Sequence, residues 1–251
     1  MTEAAMFAFF CVFVRSSALM LASPVFGAQT TPVNVRVMTT LALAGALTAV
    51  VQPAIGPMPP DMGTLVVRVG GEIFVGVLIG SFVTLALQAA HIGGALMDMQ
   101  TGLSSGQAIN PINGVSSTLL AQFKFLLSVV VFLSVDGHHL LLEAMVRSYG
   151  VTPNFEAIQT TLPILLSTTF ALGLQIALPV LGVGMLVDAA LGLINRAVPQ
   201  MQALQVGMPA KVALGLTTVA ISLPSIAGAT KMATAAAFQA LGPMLGVRFG
   251  G

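Results

Sequence analysis

An all-α, membrane-associated fold is what this sequence predicts, and three observations predict it. Of the 251 residues 56% are hydrophobic and only 7% charged, whereas a soluble domain carries about a quarter charged residues. The few charges stand far apart, with as many as 31 uncharged residues between Glu156 and Asp188, and about 20 apolar residues suffice for a helix to cross the hydrocarbon core. Third, Pro and Gly punctuate these runs, with 14 prolines and 26 glycines, which implies helices packed inside an assembly.

Six hydrophobic segments follow, at 4–28, 37–58, 73–97, 115–135, 157–187 and 209–230, with a weaker one near 232–247. Pro24 interrupts the first, Lys124 sits inside the fourth, Pro163 and Pro179 divide the fifth, and Pro224 falls in the last. A broken helix in lipid frees backbone carbonyls that need protein or water as partners, so neighbouring helices are expected. Gly76 and Gly80, and Gly173 with Ala177, stand four apart in the small-xxx-small arrangement of close helix contacts. The amino terminus has Glu3 and no basic residue before its apolar run, so it is expected to be retained rather than cleaved as a signal peptide. No internal repeat or linker marks a second domain, and residues 1–251 are expected to form a single subunit.

Composition also excludes functions. With 9 Lys and Arg against 8 Asp and Glu there is no basic field to hold nucleic acid. The single cysteine, Cys11, lies in the apolar run from Ala4 to Val14, which suits an inert packed thiol.

Polar groups are costly in a membrane chain, so those present pair, line a wet cavity or meet a partner. Arg68 and Glu72 stand at i,i+4 and are expected to pair on one helical face. Asp188, Asn195 and Arg196 share a face if helix continues, and Asp188 is expected to pair with Arg196 before Pro199; a proton relay at Asp188 is the alternative. Gly102-Leu103-Ser104-Ser105-Gly106 matches GxSxG, with Asp136, His138 and His139 downstream. A nucleophile elbow needs a strand before the serine, whereas an apolar helical run precedes this one, so no catalytic serine is expected. Adjacent histidines point about 100° apart on a helix and are not expected to share a metal. No cofactor is indicated. The loop 102–117, with Gly102, Leu103, Ser104, Ser105, Gly106, Asn110, Pro111, Asn113 and Gly114, is uncharged and rich in turn residues, and such backbone survives at membrane depth only where it lines a pore or reaches water.

The order Pro24-Val25-Phe26-Gly27, Pro32, Arg36, Glu72 with Gly76 and Gly80, Gly94, Asp98-Met99-Gln100-Thr101-Gly102, Asn110-Pro111, Asp136-Gly137-His138, Leu191-Gly192-Leu193-Ile194-Asn195-Arg196 and Pro199-Gln200 resembles the FliR family of flagellar export-gate proteins. Injectisomes carry a similar T-type subunit. The likeness runs from about Arg15 to Gly215, departing at Met201-Gln202-Ala203-Leu204, where the family often has an asparagine and a phenylalanine. It implies a non-enzymatic subunit of a type III protein-export gate in the bacterial inner membrane at the flagellar basal body. P-type and Q-type subunits, and the other membrane proteins of the export apparatus, are its implied partners, with unfolded proteins in transit and membrane lipid as further contacts. Loop 102–117 matches the family's pore plug. An injectisome T-type subunit and an ion-coupled secondary transporter are the alternative readings; for the latter, the inverted repeat common in such folds is not visible.

Ser104 separates the plug from the hydrolase. Alanine keeps a plug side chain small, so Ser104→Ala is expected to leave motility and export within about twofold of the parent. Loss of both, with fluorophosphonate labelling of Ser104 in the parent, would establish the enzyme instead.

Overall fold

The computed structural model describes residues 3–23, 26–27, 31–103, 119–151, 153–197 and 203–246. Seven helices and no strand occur among them: α1 (Glu3–Ala22), α2 (Val33–Ile55), α3 (Met62–Thr101), α4 (Leu119–Ser134), α5 (Gly137–Arg147), α6 (Phe155–Ala197) and α7 (Ala203–Leu245). The all-α expectation is met. Five of these helices are long and apolar enough to cross a membrane, and α4 with α5, bent by 68° at their junction, makes a sixth candidate.

Two expectations about breaks need correction. Pro163 and Pro179 do not divide the fifth segment, because α6 runs unbroken for 43 residues. The last two segments are one helix, α7, also 43 residues long, with Pro224 and Lys231 inside it. A proline removes one backbone donor and strains one turn, a loss that packing in a long helix absorbs. Lysine interrupts hydropathy but not helix, since it is a good helix former. At about 1.5 Å per residue such helices run about 65 Å, twice the roughly 30 Å hydrocarbon core. With α3 at 40 residues, three helices are therefore too long to be simple spans of a flat bilayer.

The chain clusters into two compact units, and α3, α6 and α7 each contribute to both. The first comprises Met1–Ala86, Asp136–Leu165 and Thr234–Gly251. In it α1 lies against the first half of α3 through the expected pair Gly76 and Gly80. A Cβ on Gly76 would sit 2.8 Å from the Ala18 Cβ and 3.1 Å from the Leu19 nitrogen, and one on Gly80 would sit 2.7 Å from the Leu19 carbonyl oxygen. Thr84 adds a 2.6 Å hydrogen bond to the Ala22 carbonyl. Contacts at 15 to 76, 19 to 80 and 22 to 84 advance together along both chains, so the two helices are parallel.

The second unit comprises Leu87–Val135 and Leu166–Ala233. Its apolar core gathers Ala90 and Met97 of α3, Leu120 of α4, Ile176, Ala177 and Val180 of α6, and Val219, Ile226 and Ala229 of α7. Glycine again sets the distance: a Cβ on Gly93 would lie 2.8 Å from the Gly173 carbonyl oxygen, and one on Gly173 would lie 2.9 Å from that of Ala89. Of its most apolar window α3 buries 61%, against 28% for α2, 33% for α6 and 28% for α7. The last three therefore leave most of their apolar surface for lipid or partners.

A side chain at Gly80 must push backbone away, and overpacking of this kind costs about 1–3 kcal/mol. Gly80→Leu is expected to lower the thermal midpoint of the detergent-purified protein, whereas Gly70→Ala, where a Cβ meets nothing within 4 Å, leaves it unchanged or raised. Equal midpoints for Gly80→Leu and the parent would contradict close packing of α1 on α3.

Candidate functional site: buried charges and the base of a loop

Four charged side chains, Arg15, Glu72, Asp98 and Lys124, are buried among the described residues. In the first unit, Arg15 of α1 donates from Nε, at 2.6 Å, to Glu72 Oε2 of α3, and its Nη2 lies at the same distance from that oxygen. Its Nη1 donates to Ser148 Oγ at 2.6 Å, and the guanidinium lies 3.8 Å from the centre of the Tyr149 ring. Every face of the cation is thus engaged, which a buried charge requires. Arg68 Nε stands 3.5 Å from Glu72 Oε1, and its Nη2 donates to the Ile55 carbonyl at 3.1 Å. The expected i,i+4 pair therefore exists, but as the longer of two contacts. Burial pushes the Tyr149 hydroxyl above the ordinary tyrosine range. Arg15 was not singled out from sequence, although an arginine inside an apolar run is the signal that finds such a residue.

In the second unit, Asp98 near the end of α3 accepts hydrogen bonds from the backbone N–H groups of Leu120, at 3.1 Å, and Ala121, at 2.9 Å. These are first-turn donors of α4, left without partners within the helix itself. A carboxylate from a distant helix thus caps α4, and the positive end of its dipole favours that charge. Just below, Gly94 lets α3 and α4 touch, since a Cβ there would lie 2.8 Å from the Ala121 nitrogen and the Leu120 carbonyl oxygen. Gly102 ends α3 at φ 79°, a left-handed position that favours glycine. The candidate loop leaves from this point. Gly102 and Leu103 are described; Ser104, Ser105, Gly106, Asn110, Pro111, Asn113 and Gly114 lie outside the described residues. Lys124, one turn into α4, is fully buried, and its Nζ has no hydrogen-bond partner among the described residues.

Asp188 does not pair with Arg196. Its carboxylate meets Lys211 Nζ of α7 at 2.7 Å and accepts from Gln100 Nε2 of α3 at 3.2 Å, while Arg196 is exposed. Eight residues along one helix are about 12 Å, too far for an ion pair, whereas a side chain from a neighbouring helix can reach. Asp136, just before α5, is left-handed at φ 56°, and ligand atoms of Asp136, His138 and His139 come within 4.8 Å of one another, with the two imidazole rings 4.2 Å apart. His139 Nδ1 and Asp136 Oδ1 are hydrogen-bonded at 3.2 Å, with both side chains exposed.

These features define a class: an all-α protein with membrane-length helices, internal charge pairs and a carboxylate that ties the end of α3 to the start of α4. The chain belongs to the bacterial export proteins, family 1, whose profile matches residues 6–237. It is similar to the flagellar biosynthetic protein FliR of Caulobacter vibrioides, 34% identical over 86% of this chain and 88% of that protein. Similarity to the FliR of Bacillus subtilis is 29% over 87% of each chain. The surface presentation of antigens protein SpaR of Shigella flexneri is 33% identical over 62% of each.

The Arg15 and Glu72 charges are separable by mutation. Glu72→Leu strands two arginines, and removing one partner of a buried pair costs about 3–5 kcal/mol. It is expected to lower the thermal midpoint sharply, and Arg15→Met in the same chain is expected to restore most of the loss. A double variant no better than Glu72→Leu would show that the two side chains are not coupled.

Proposed function

We propose that this chain is the R-type subunit of a flagellar type III protein-export gate, set in the bacterial inner membrane at the basal body. The observation that carries this reading is the extent of the match to FliR, 86% of the chain. SpaR relatives match 62%, which favours the flagellar system over the injectisome T-type subunit. The subunit works by shape rather than by chemistry. P-type and Q-type subunits and other membrane proteins of the apparatus cover the apolar faces that α2, α6 and α7 leave open, and the energy for export comes from those partners.

Loop 102–117 is the closed-state plug in this reading. Its uncharged residues, mostly Gly, Ser, Asn, Ala and Pro, fill a channel without binding an unfolded protein tightly. A plug must yield repeatedly without loosening the wall that carries it. The Asp98 bonds to Leu120 and Ala121 support this, because they fasten the wall helices to each other below the loop and leave the loop itself free of that duty. Asp188, tied to Lys211 and Gln100, is a structural anchor here and not a proton relay.

Deleting Ser105 to Asn110 removes space-filling residues but not the staple. Such cells are expected to leak small solutes at least several-fold faster than the parent, while the subunit still co-purifies with its P-type and Q-type partners. Unchanged permeability in an assembled mutant complex would assign the seal to another element.

A further inference from the structure

A cavity of about 300 Å³ opens in the first unit, lined by Arg15, Arg68, Glu72, Gly71, Ala54 and Val151 among others. We propose that it is a binding site for the headgroup phosphate of an anionic phospholipid. Two guanidinium groups share one carboxylate here, so the lining carries a net positive charge. Arg15 is fully spent on Glu72 and Ser148. Arg68 is not: its Nη2 donates to the Ile55 carbonyl and its buried Nε faces Glu72 at 3.5 Å, but its side chain as a whole is 40% exposed. A part-exposed guanidinium, braced by a carboxylate at its buried Nε, has the planar geometry that phosphate oxygens accept.

The surroundings point to lipid rather than to a soluble anion. The cavity lies where α2 ends at Ile55 and just ahead of the uncharged run that follows Glu72 in α3, beside the turn that precedes α6. Val66, Val67 and Phe155, close to it in sequence, are strongly exposed apolar side chains. A cation at the polar end of apolar helices, with open hydrophobic surface next to it, matches a headgroup and its acyl chains together. Gly71 offers a way to block the site without touching a charge, since a Cβ there meets nothing within 4 Å.

The test uses the export complex purified in mild detergent and exposed to phosphatidylglycerol or phosphatidylcholine, with retained lipid counted by native mass spectrometry. The parent is expected to retain phosphatidylglycerol over phosphatidylcholine and to keep it in millimolar inorganic phosphate. Arg68→Gln, which removes the charge, and Gly71→Met, which fills the cavity, are each expected to cut retention about tenfold, the worth of one charge-assisted hydrogen bond. Arg147→Gln, which opens the i,i+4 pair with Glu143 away from the cavity lining, is expected to leave retention unchanged. Equal retention by all four proteins, or none by the parent, would overturn the site. So would displacement of the lipid by inorganic phosphate.

Discussion

Backbone meets backbone along α3, and the remaining contacts rest on that constraint. At Gly76 and Gly80 the helix touches α1, at Gly93 it touches α6, and at Gly94 it touches α4; in each case a Cβ would lie within 3 Å of a backbone or Cβ atom. Between membrane helices there is no water to expel, so association depends on van der Waals contact and on hydrogen bonds that only close approach permits. Glycine supplies the approach at a cost in intrinsic helix propensity of about 1 kcal/mol per residue, which a helix so extensively packed can bear.

Buried charges stand where these contacts are tightest. Glu72 lies one turn before Gly76, whose neighbour across the interface is the Arg15 carbonyl. Asp98 lies one turn beyond Gly94 and reaches the same residues of α4 that Gly94 touches. Close packing excludes water and strengthens each electrostatic contact, and the charge in turn fixes the register of two smooth surfaces that would otherwise slide. Specificity of pairing is the gain, since neither feature alone selects one rotation of a helix against its neighbour.

For an export subunit this division of labour has a clear use. Glycine-mediated contacts join α1 to the first half of α3 in one unit and α4 and α6 to its second half in the other, and the Asp98 bonds to Leu120 and Ala121 tie the end of α3 to the start of α4. The open apolar faces of α2, α6 and α7 are then surfaces for assembly and not defects of folding. Helices about twice as long as the hydrocarbon core is thick also fit a subunit that packs on neighbours rather than one that merely spans lipid.

Helical class, membrane character, family and the Gly76–Gly80 contact were legible in the sequence alone. The first two and the contact are written in composition, in the spacing of rare charges and in residues four apart, and the family resemblance in the order of its short motifs, all of which are local. Partner choice was not. Arg68 and Glu72 were paired correctly because i,i+4 neighbours meet on any helix, but Arg15, 57 residues away, enters only when α1 settles beside α3. On its own helix Asp188 has Arg196 as its nearest basic residue, whereas the fold brings Lys211 from α7. A proline's local cost alone predicts a break, while the packing that offsets it belongs to the tertiary structure. Which charge meets which is decided by helices distant in the chain, since in a nearly uncharged protein each ion must find its partner through space.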